Sequence, residues 1–254
     1  MTLTIGVTCW NASKFIRILL WGLAVSIPAH ALAEDVQEFN DYAGVVGDAP
    51  IGMTLSLSED KVRKGSHYYY RKYLKDIPLT GTIDTELRFV EPGGGVFLLH
   101  YVDNKLVPVT AENSTGLIGT WSGNGHTVPV KLVSVDSSSY RVGHRYEDVT
   151  NKDDSQFEEP IKKFYDAVIN GRPSDAVQFV AFPLRVNVGA RKFIMINSAS
   201  ELQQRWNIVF PPAWLEALKK FSPHDLFTRN GQAMIGAGLA YFGDHGLEIV
   251  NAIP

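Results

Sequence analysis

Between Gly52 and Val135, apolar and polar residues alternate in short runs broken by turn residues. Met53-Thr54-Leu55-Ser56-Leu57 has a period of two, and so does Glu86-Leu87-Arg88-Phe89-Val90-Glu91, up to the turn Pro92-Gly93-Gly94-Gly95. Val96 to Tyr101 continues as a strand closed by Asp103-Asn104-Lys105. Leu117-Ile118-Gly119-Thr120-Trp121 and Val128 to Val133 bracket Ser122-Gly123-Asn124-Gly125. That bracket is a hairpin signal, because Asn-Gly enters the left-handed turn region at little cost. Strands at this spacing, without a convincing helix among them, predict an antiparallel meander curled into a small barrel or sandwich, with Trp121 plugging its core. Ser137-Ser138-Ser139 and Asn151-Lys152-Asp153-Asp154-Ser155 then read as turn and linker.

The period changes after the linker. Phe157, Ile161, Phe164, Tyr165 and Val168 recur at helical spacing, with Glu158 and Glu159 in the first turn and Asn170-Gly171 closing the helix. A short helix opens at Pro173-Ser174-Asp175. Phe182 to Val188 alternates as a strand, and Lys192 to Ile196 continues the sheet after a Gly189-Ala190 turn. Ser198 or Ser200 caps a helix holding Leu202, Trp206 and Ile208, and Trp214-Leu215 begins another after Pro211-Pro212. Gln232 to Ala237, Leu239 to Phe242 and Leu247 to Ile253 read as closing strands, the last two joined by Gly243-Asp244-His245-Gly246.

The order of long helix, short helix, strand pair, helix and final meander resembles the nuclear transport factor 2-like (cystatin-like) α+β cone. So do the phrases Phe182-Pro183-Leu184-Arg185-Val186, Ser200-Glu201-Leu202, Gly231 to Gly238 and Ile249-Val250-Asn251, which look like a variant found in exported bacterial proteins. The resemblance covers about 156–254 and implies a pocket between a curved sheet and the first helix. It implies no activity, since that fold hosts enzymes, carriers and binding domains alike. The expected class is therefore α+β: residues 34–150 a β-rich domain, residues 156–254 the cone.

Residues 1–33 read as a cleavable export signal. Lys14 and Arg17 precede an apolar run from Ile18 to Ile27, Pro28 breaks it, and Ala31-Leu32-Ala33 offers the small residues a signal peptidase reads. The run is too short for a ~20-residue membrane span. Cleavage after Ala33 would remove the only cysteine, Cys9, leaving no disulfide, no lipidated thiol and no thiolate metal site. It would also leave a formal net charge of −5, two more negative than the −3 of the whole chain, because Lys14 and Arg17 leave with the leader. These features fit a bacterial periplasm, where the match of Asn113-Ser114-Thr115 to a glycosylation acceptor carries no weight. The acidic balance gives no footprint for nucleic acid. The one basic cluster, Lys61 to Lys75 around His67-Tyr68-Tyr69-Tyr70, reads as the solvated face of a strand.

Candidate chemistry is sparse. Arg185 stands between Leu184 and Val186, so it faces opposite to both; on a concave face it could take a carboxylate or phosphate bidentately. Tyr165, Trp206 and Tyr241 could line a ligand pocket or complete a core. His224-Asp225 and Asp244-His245 are neighbours in sequence, and adjacent residues of an extended chain point to opposite faces, so neither pair reads as a dyad. The six histidines beyond residue 33 are too scattered to suggest zinc, and no His-Glu-x-x-His occurs. Ser58-Glu59-Asp60-Lys61 lacks a partner Lys-Thr-Gly, Gly119 to Gly123 has its serine misplaced for a nucleophile elbow, and Gly93-Gly94-Gly95 is a hairpin turn rather than a phosphate loop.

The chain thus reads as having no catalytic constellation, no metal and no cofactor. It suggests an exported binding or inhibitory protein, of the immunity type, that contacts an envelope or secreted protein or a small ligand. A hydrolase or isomerase working in the cone pocket, and a structural accessory of an envelope complex, are the alternatives.

Overall fold

Alternation in the first half builds nine antiparallel strands in the computed structural model, which describes residues 35–252. The export signal expected over residues 1–33 lies outside the described residues. The strands are β1 (Gln37–Val46), β2 (Ala49–Leu55), β3 (His67–Tyr70), β4 (Ile77–Pro78), β5 (Thr80–Ile83), β6 (Leu87–Val90), β7 (Val96–Val102), β8 (Gly116–Gly123) and β9 (His126–Tyr140). They lie in the order β4-β3-β2-β1-β9-β8-β7-β6-β5. The sheet nearly closes on itself: the segment between β2 and β3 bridges to β5, where Ile83 N–H donates to Asp60 O at 3.0 Å and Lys61 pairs with Thr82. Inward residues at every second position, among them Met53, Leu55, Tyr68, Leu87, Phe89, Phe97, Leu99, Val130 and Leu132, fill the interior. Each fully buried aliphatic or aromatic side chain contributes roughly 1.5–3 kcal/mol.

The structure corrects several expectations in this half. The meander begins at Gln37 rather than Gly52. Ser137-Ser138-Ser139 is not a turn: β9 runs straight through it, because β1 pairs alongside and satisfies its backbone, Phe39 standing opposite Ser138. Trp121 does not plug the core. Phe89, Phe97 and Tyr68 do, and Trp121 is half-buried, lying over Gly95 and Gly123, where an added Cβ would come within 2.7 Å of its ring atoms.

The second half holds the helix α1 (Asp154–Ile169), α2 (Pro173–Ala176), β10 (Val180–Gly189), β11 (Lys192–Ile196), α3 (Ala199–Gln204), α4 (Trp206–Val209), α5 (Pro212–Leu218), and β12 (Phe227–Arg229), β13 (Gln232–Ile235), β14 (Ala240–Gly243) and β15 (Gly246–Asn251). A six-stranded mixed sheet in the order β11-β10-β15-β14-β13-β12 results, with β10 and β15 parallel. Asp153 caps α1 by accepting from Gln156 N–H, so the expected linker is in part a helix start. Phe157, Ile161, Phe164 and Val168 then bury one stripe of α1 against the sheet. The helix expected to carry Leu202, Trp206 and Ile208 together breaks at Arg205, which rotates Ile208 out to 54% exposure. Among the described residues no helix is long and apolar enough to cross a membrane.

Candidate functional site

Two hydrophobic cores, one inside the barrel and one under the second sheet, leave a polar seam between them. The outer face of the barrel supplies one wall by simple alternation. In β3, Tyr68 points into the barrel while His67 and Tyr69 point to the seam; in β2, Met53 and Leu55 point in and Thr54 points out. Gly52 has no side chain because the Tyr69 ring lies across it: a Cβ there would sit 2.4 Å from that ring. Tyr69 in turn packs edge-on to His224 at 4.4 Å. In β1 the neighbours Asp41 and Tyr42 face opposite sides of the strand and both are buried, Tyr42 in the barrel and Asp41 in the seam; the ladder slips there by one residue, Val135, on the β9 side.

Arg145 is the centre of the seam. It is 6% exposed and its guanidinium grips the Asp41 carboxylate through two nitrogens, donating as well to Tyr140 Oη at 2.9 Å, Leu226 O at 3.1 Å and Asp225 O at 3.2 Å. Thr54 Oγ1 donates to Asp41 at 2.6 Å. Glu158, on the second turn of α1 and 2% exposed, accepts from Tyr146 Oη, Asp225 N–H at 2.9 Å, Lys162 Nζ at 2.8 Å and His224 Nδ1. Tyr146 Oη itself accepts Leu226 N–H at 2.9 Å. Each of these buried charges is thus met by hydrogen bonds, the condition for burying charge at tolerable cost.

The two histidines complete the cluster. His67 Nδ1 faces Gly65 O at 2.8 Å and can only donate to it; its Nε2 faces Asp225 Oδ2 at 3.0 Å and Asp76 Oδ1 at 3.5 Å. His224 has Glu158 on Nδ1 and Asp76 Oδ1 at 2.6 Å on Nε2. Both nitrogens of each ring face an acceptor, so each ring must carry two protons or turn one nitrogen to a cation, and four carboxylates (Asp41, Asp76, Glu158, Asp225) stand beside the cations Arg145 and Lys162. Two protons on the imidazoles, or one divalent cation, close that balance. Burial opposes the imidazolium form at both sites. At His67 the charge and hydrogen bond of Asp225 overcome it and raise the pKa to about 9; at His224 the hydrogen bonds to Asp76 and Glu158 raise it to about 10. Burial likewise pushes the Asp225 carboxyl up, but His67 and Arg145 hold it well below the carboxylate range.

The cluster opens to the surface. A cavity of about 630 Å³ is lined by His67, Asp76, Arg145, Asp154, Glu158 and His224 among others, and a second of about 470 Å³ lies across the ridge made by His224 and Asp225. Asp154 stands on the wall of the first with Oδ1 buried and unpaired. Burial, with the Glu158 charge nearby, raises its pKa to about 6. A carboxyl raised in the folded state contributes stability below its unfolded value, and that contribution is lost as the pH rises through 6. Asp154→Asn should therefore unfold like the parent at pH 4 and be more stable by about 1–2 kcal/mol at pH 8, after allowance for solvent screening. A thermal melt series across that range checks this, and a pH-independent difference would contradict it.

Of the residues singled out by sequence as ligand-binding candidates, none enters this site. Arg185 is exposed on the outer face of β10, stacked 4.5 Å over the Phe193 ring and bonded to Asn187. Tyr165 and Trp206 pack against the second core, Trp206 edge-on to Phe210 at 4.6 Å, and Phe182 packs there with them. Tyr241 is half-buried on β14, its hydroxyl beside Gly238. His245 is exposed in its turn. His224 and Asp225, set aside because neighbours in a strand diverge, do converge: they lie in a loop where Asp225 takes a left-handed backbone, φ 54°, which turns both side chains into one cluster.

Comparison with protein families, with curated proteins and with solved structures gives no match for this chain. Fold and site alone define it, as an α+β protein with a nearly closed antiparallel sheet and an ionic cleft beside it.

Proposed function

We propose that this is an exported binding protein that takes its ligand in the cleft between the nearly closed sheet and α1. One observation carries this reading: His67, Asp76 and His224, backed by buried Arg145, Asp225 and Glu158, face an open cavity of about 630 Å³. A seam meant only to hold two cores together would be as stable with apolar residues. Ionisable groups gathered at a concave opening, with shifted pKa values, are the usual mark of a ligand site. The leader over residues 1–33 and the acidic, cysteine-free remainder support a location in the periplasm. An inhibitory role fits the same cleft if the ligand is a loop of an envelope protein.

The fold reading that goes with this is a nuclear transport factor 2-like cone over residues 156–254, supported by the order α1, α2, β10-β11, short helices and closing meander. The space under the second sheet is filled by Phe164, Phe210, Trp214 and Phe242, with Phe182, Tyr165 and Trp206 packed against them, so the junction cleft is the proposed site. A second reading, a hydrolase, is favoured by Asp154 alone, a carboxyl of raised pKa facing the same cavity.

Ser155 stands on the cleft wall in the first turn of α1, exposed and apart from the ionic cluster. Native mass spectrometry of the protein isolated from envelope extract should show a retained ligand that Ser155→Trp loses. Arg185→Glu, on the outer face of β10, should keep it. Equal retention in both variants, or none in the parent, would overturn the cleft reading.

A further inference from the structure

The cleft floor has a geometry that goes beyond a generic polar pocket. His67, His224 and Asp225 gather at the cleft floor, and Asp76 Oδ1 lies against both imidazoles. Asp76 Oδ1 lies 2.6 Å from one imidazole nitrogen and 3.5 Å from the other, and Asp225 Oδ2 lies 3.0 Å from His67 Nε2. One donor atom from each of His67, His224 and Asp225 falls within 4.8 Å of the others. Ligands held at 2.0–2.1 Å around a tetrahedral zinc ion are roughly 3.3 Å apart. The separations of 2.6, 3.0 and 3.5 Å around the two imidazole nitrogens bracket that spacing.

What lies behind the four groups is the stronger argument. A ligating histidine presents one nitrogen to the metal and donates from the other to a carbonyl or carboxylate, which fixes the ring. Both histidines are arranged so: His67 Nδ1 faces Gly65 O at 2.8 Å, and His224 Nδ1 faces the buried carboxylate of Glu158. Glu158 is itself held by Tyr146 and by Asp225 N–H. Asp225 is steadied by Arg145 at 3.9 Å. Asp76, half exposed at the cavity edge, supplies the fourth donor from the solvent side.

We propose that His67, His224, Asp225 and Asp76 form a binding site for a single divalent transition-metal ion of the zinc class. Two imidazoles with two carboxylates suit such an ion better than calcium or magnesium, which prefer all-oxygen shells. The ion supplies the positive charge that the four carboxylates of the seam lack. The site sits deeper than Ser155, so it does not depend on the cleft accepting an organic ligand.

The test uses the whole chain, stripped with chelator and titrated with Zn²⁺ against a chromophoric competitor, with Ca²⁺ as comparison. One ion per chain should bind, with Ca²⁺ at least about 100-fold weaker. Asp76→Asn, at the most exposed of the four side chains, should weaken Zn²⁺ by roughly 10- to 100-fold. His67→Gln should abolish the one-to-one stoichiometry, with a circular dichroism spectrum certifying that the variant folds. Co²⁺ should give the intense visible bands of a four-coordinate site, lost in Asp76→Asn. His126→Ala and His245→Ala should change nothing. No saturable uptake, or uptake that follows His126 or His245 instead, would overturn the proposal. Ser155→Trp should retain the metal, so a failed ligand search and a failed metal site give different results.

Discussion

Arg145→Met should lower the stability of the protein by about 3–5 kcal/mol. Methionine keeps most of the volume but none of the donors. It strands Asp41, which is 6% exposed and whose carboxylate the guanidinium grips from two sides, and it deprives Tyr140 Oη and the carbonyls of Asp225 and Leu226 of their donor. For a chain of this size the melting temperature should fall by on the order of 10 °C. The charge left behind matters more than the bonds lost, so adding Asp41→Asn to Arg145→Met should recover part of the deficit. Both effects are read from thermal and urea unfolding of the parent, the two single variants and the double variant. An Arg145→Met variant within about 1 kcal/mol of the parent would mean that water already reaches Arg145 and that the seam is not the joint between the cores.

The sheet-forming half was largely legible because a half-buried strand writes its burial in alternate letters. Leu87 and Phe89 face in while Arg88 faces out, and Phe97 and Leu99 do the same across from them. The stripe of α1 was equally plain. The strands β1 and β12 were not: β1 takes one of its two ladders from the distant β9, and β12 is only three residues long, paired to its neighbour β13. The site was legible only in fragments. His67 sits in His67-Tyr68-Tyr69-Tyr70, where a period of two with Tyr68 inward already sends His67 outward. Glu158 lies between Phe157 and Ile161 on the apolar stripe of α1, a charged residue where the pattern asks for an apolar one. A first-turn role with the helix dipole accounted for its charge without accounting for its face. Nothing in the sequence announces Arg145, or the burial of Asp41, or the left-handed backbone that brings Asp225 beside His67. These are products of long-range packing. Asp41 and Arg145 are 104 residues apart, and His67 and Asp225 are 158 apart, so no local spacing could record their meeting.

Glu158→Gln should cost about as much as the loss of Arg145, for the opposite reason: it removes the anion around which α1 docks. Both carboxylate oxygens are occupied by donors, Oε1 by Tyr146 Oη and Asp225 N–H, Oε2 by His224 Nδ1 and Lys162 Nζ. An amide offers one acceptor and one donor, so either orientation of the substituted side chain sets its NH₂ against two donors. Unpaired buried groups and the uncompensated cations together should cost about 3–5 kcal/mol. The sign with pH follows from the folded carboxyl: burial raises its pKa, but the His224 hydrogen bond and charge outweigh burial and hold it below the usual glutamate value. A carboxyl depressed in the folded state contributes stability above its unfolded pKa and loses it as the pH falls. The gap between Glu158→Gln and the parent should therefore be widest near neutral pH and narrow as the pH falls through the glutamate range. The denaturation midpoint in urea should move while the slope stays the same, since the surface exposed on unfolding is unchanged. Hydrogen exchange should quicken first in the amides of α1 and of residues 224–226, where Glu158 ties helix to loop. If the midpoint does not move, or the gap grows in acid, Glu158 is not the anion that anchors the helix to this seam.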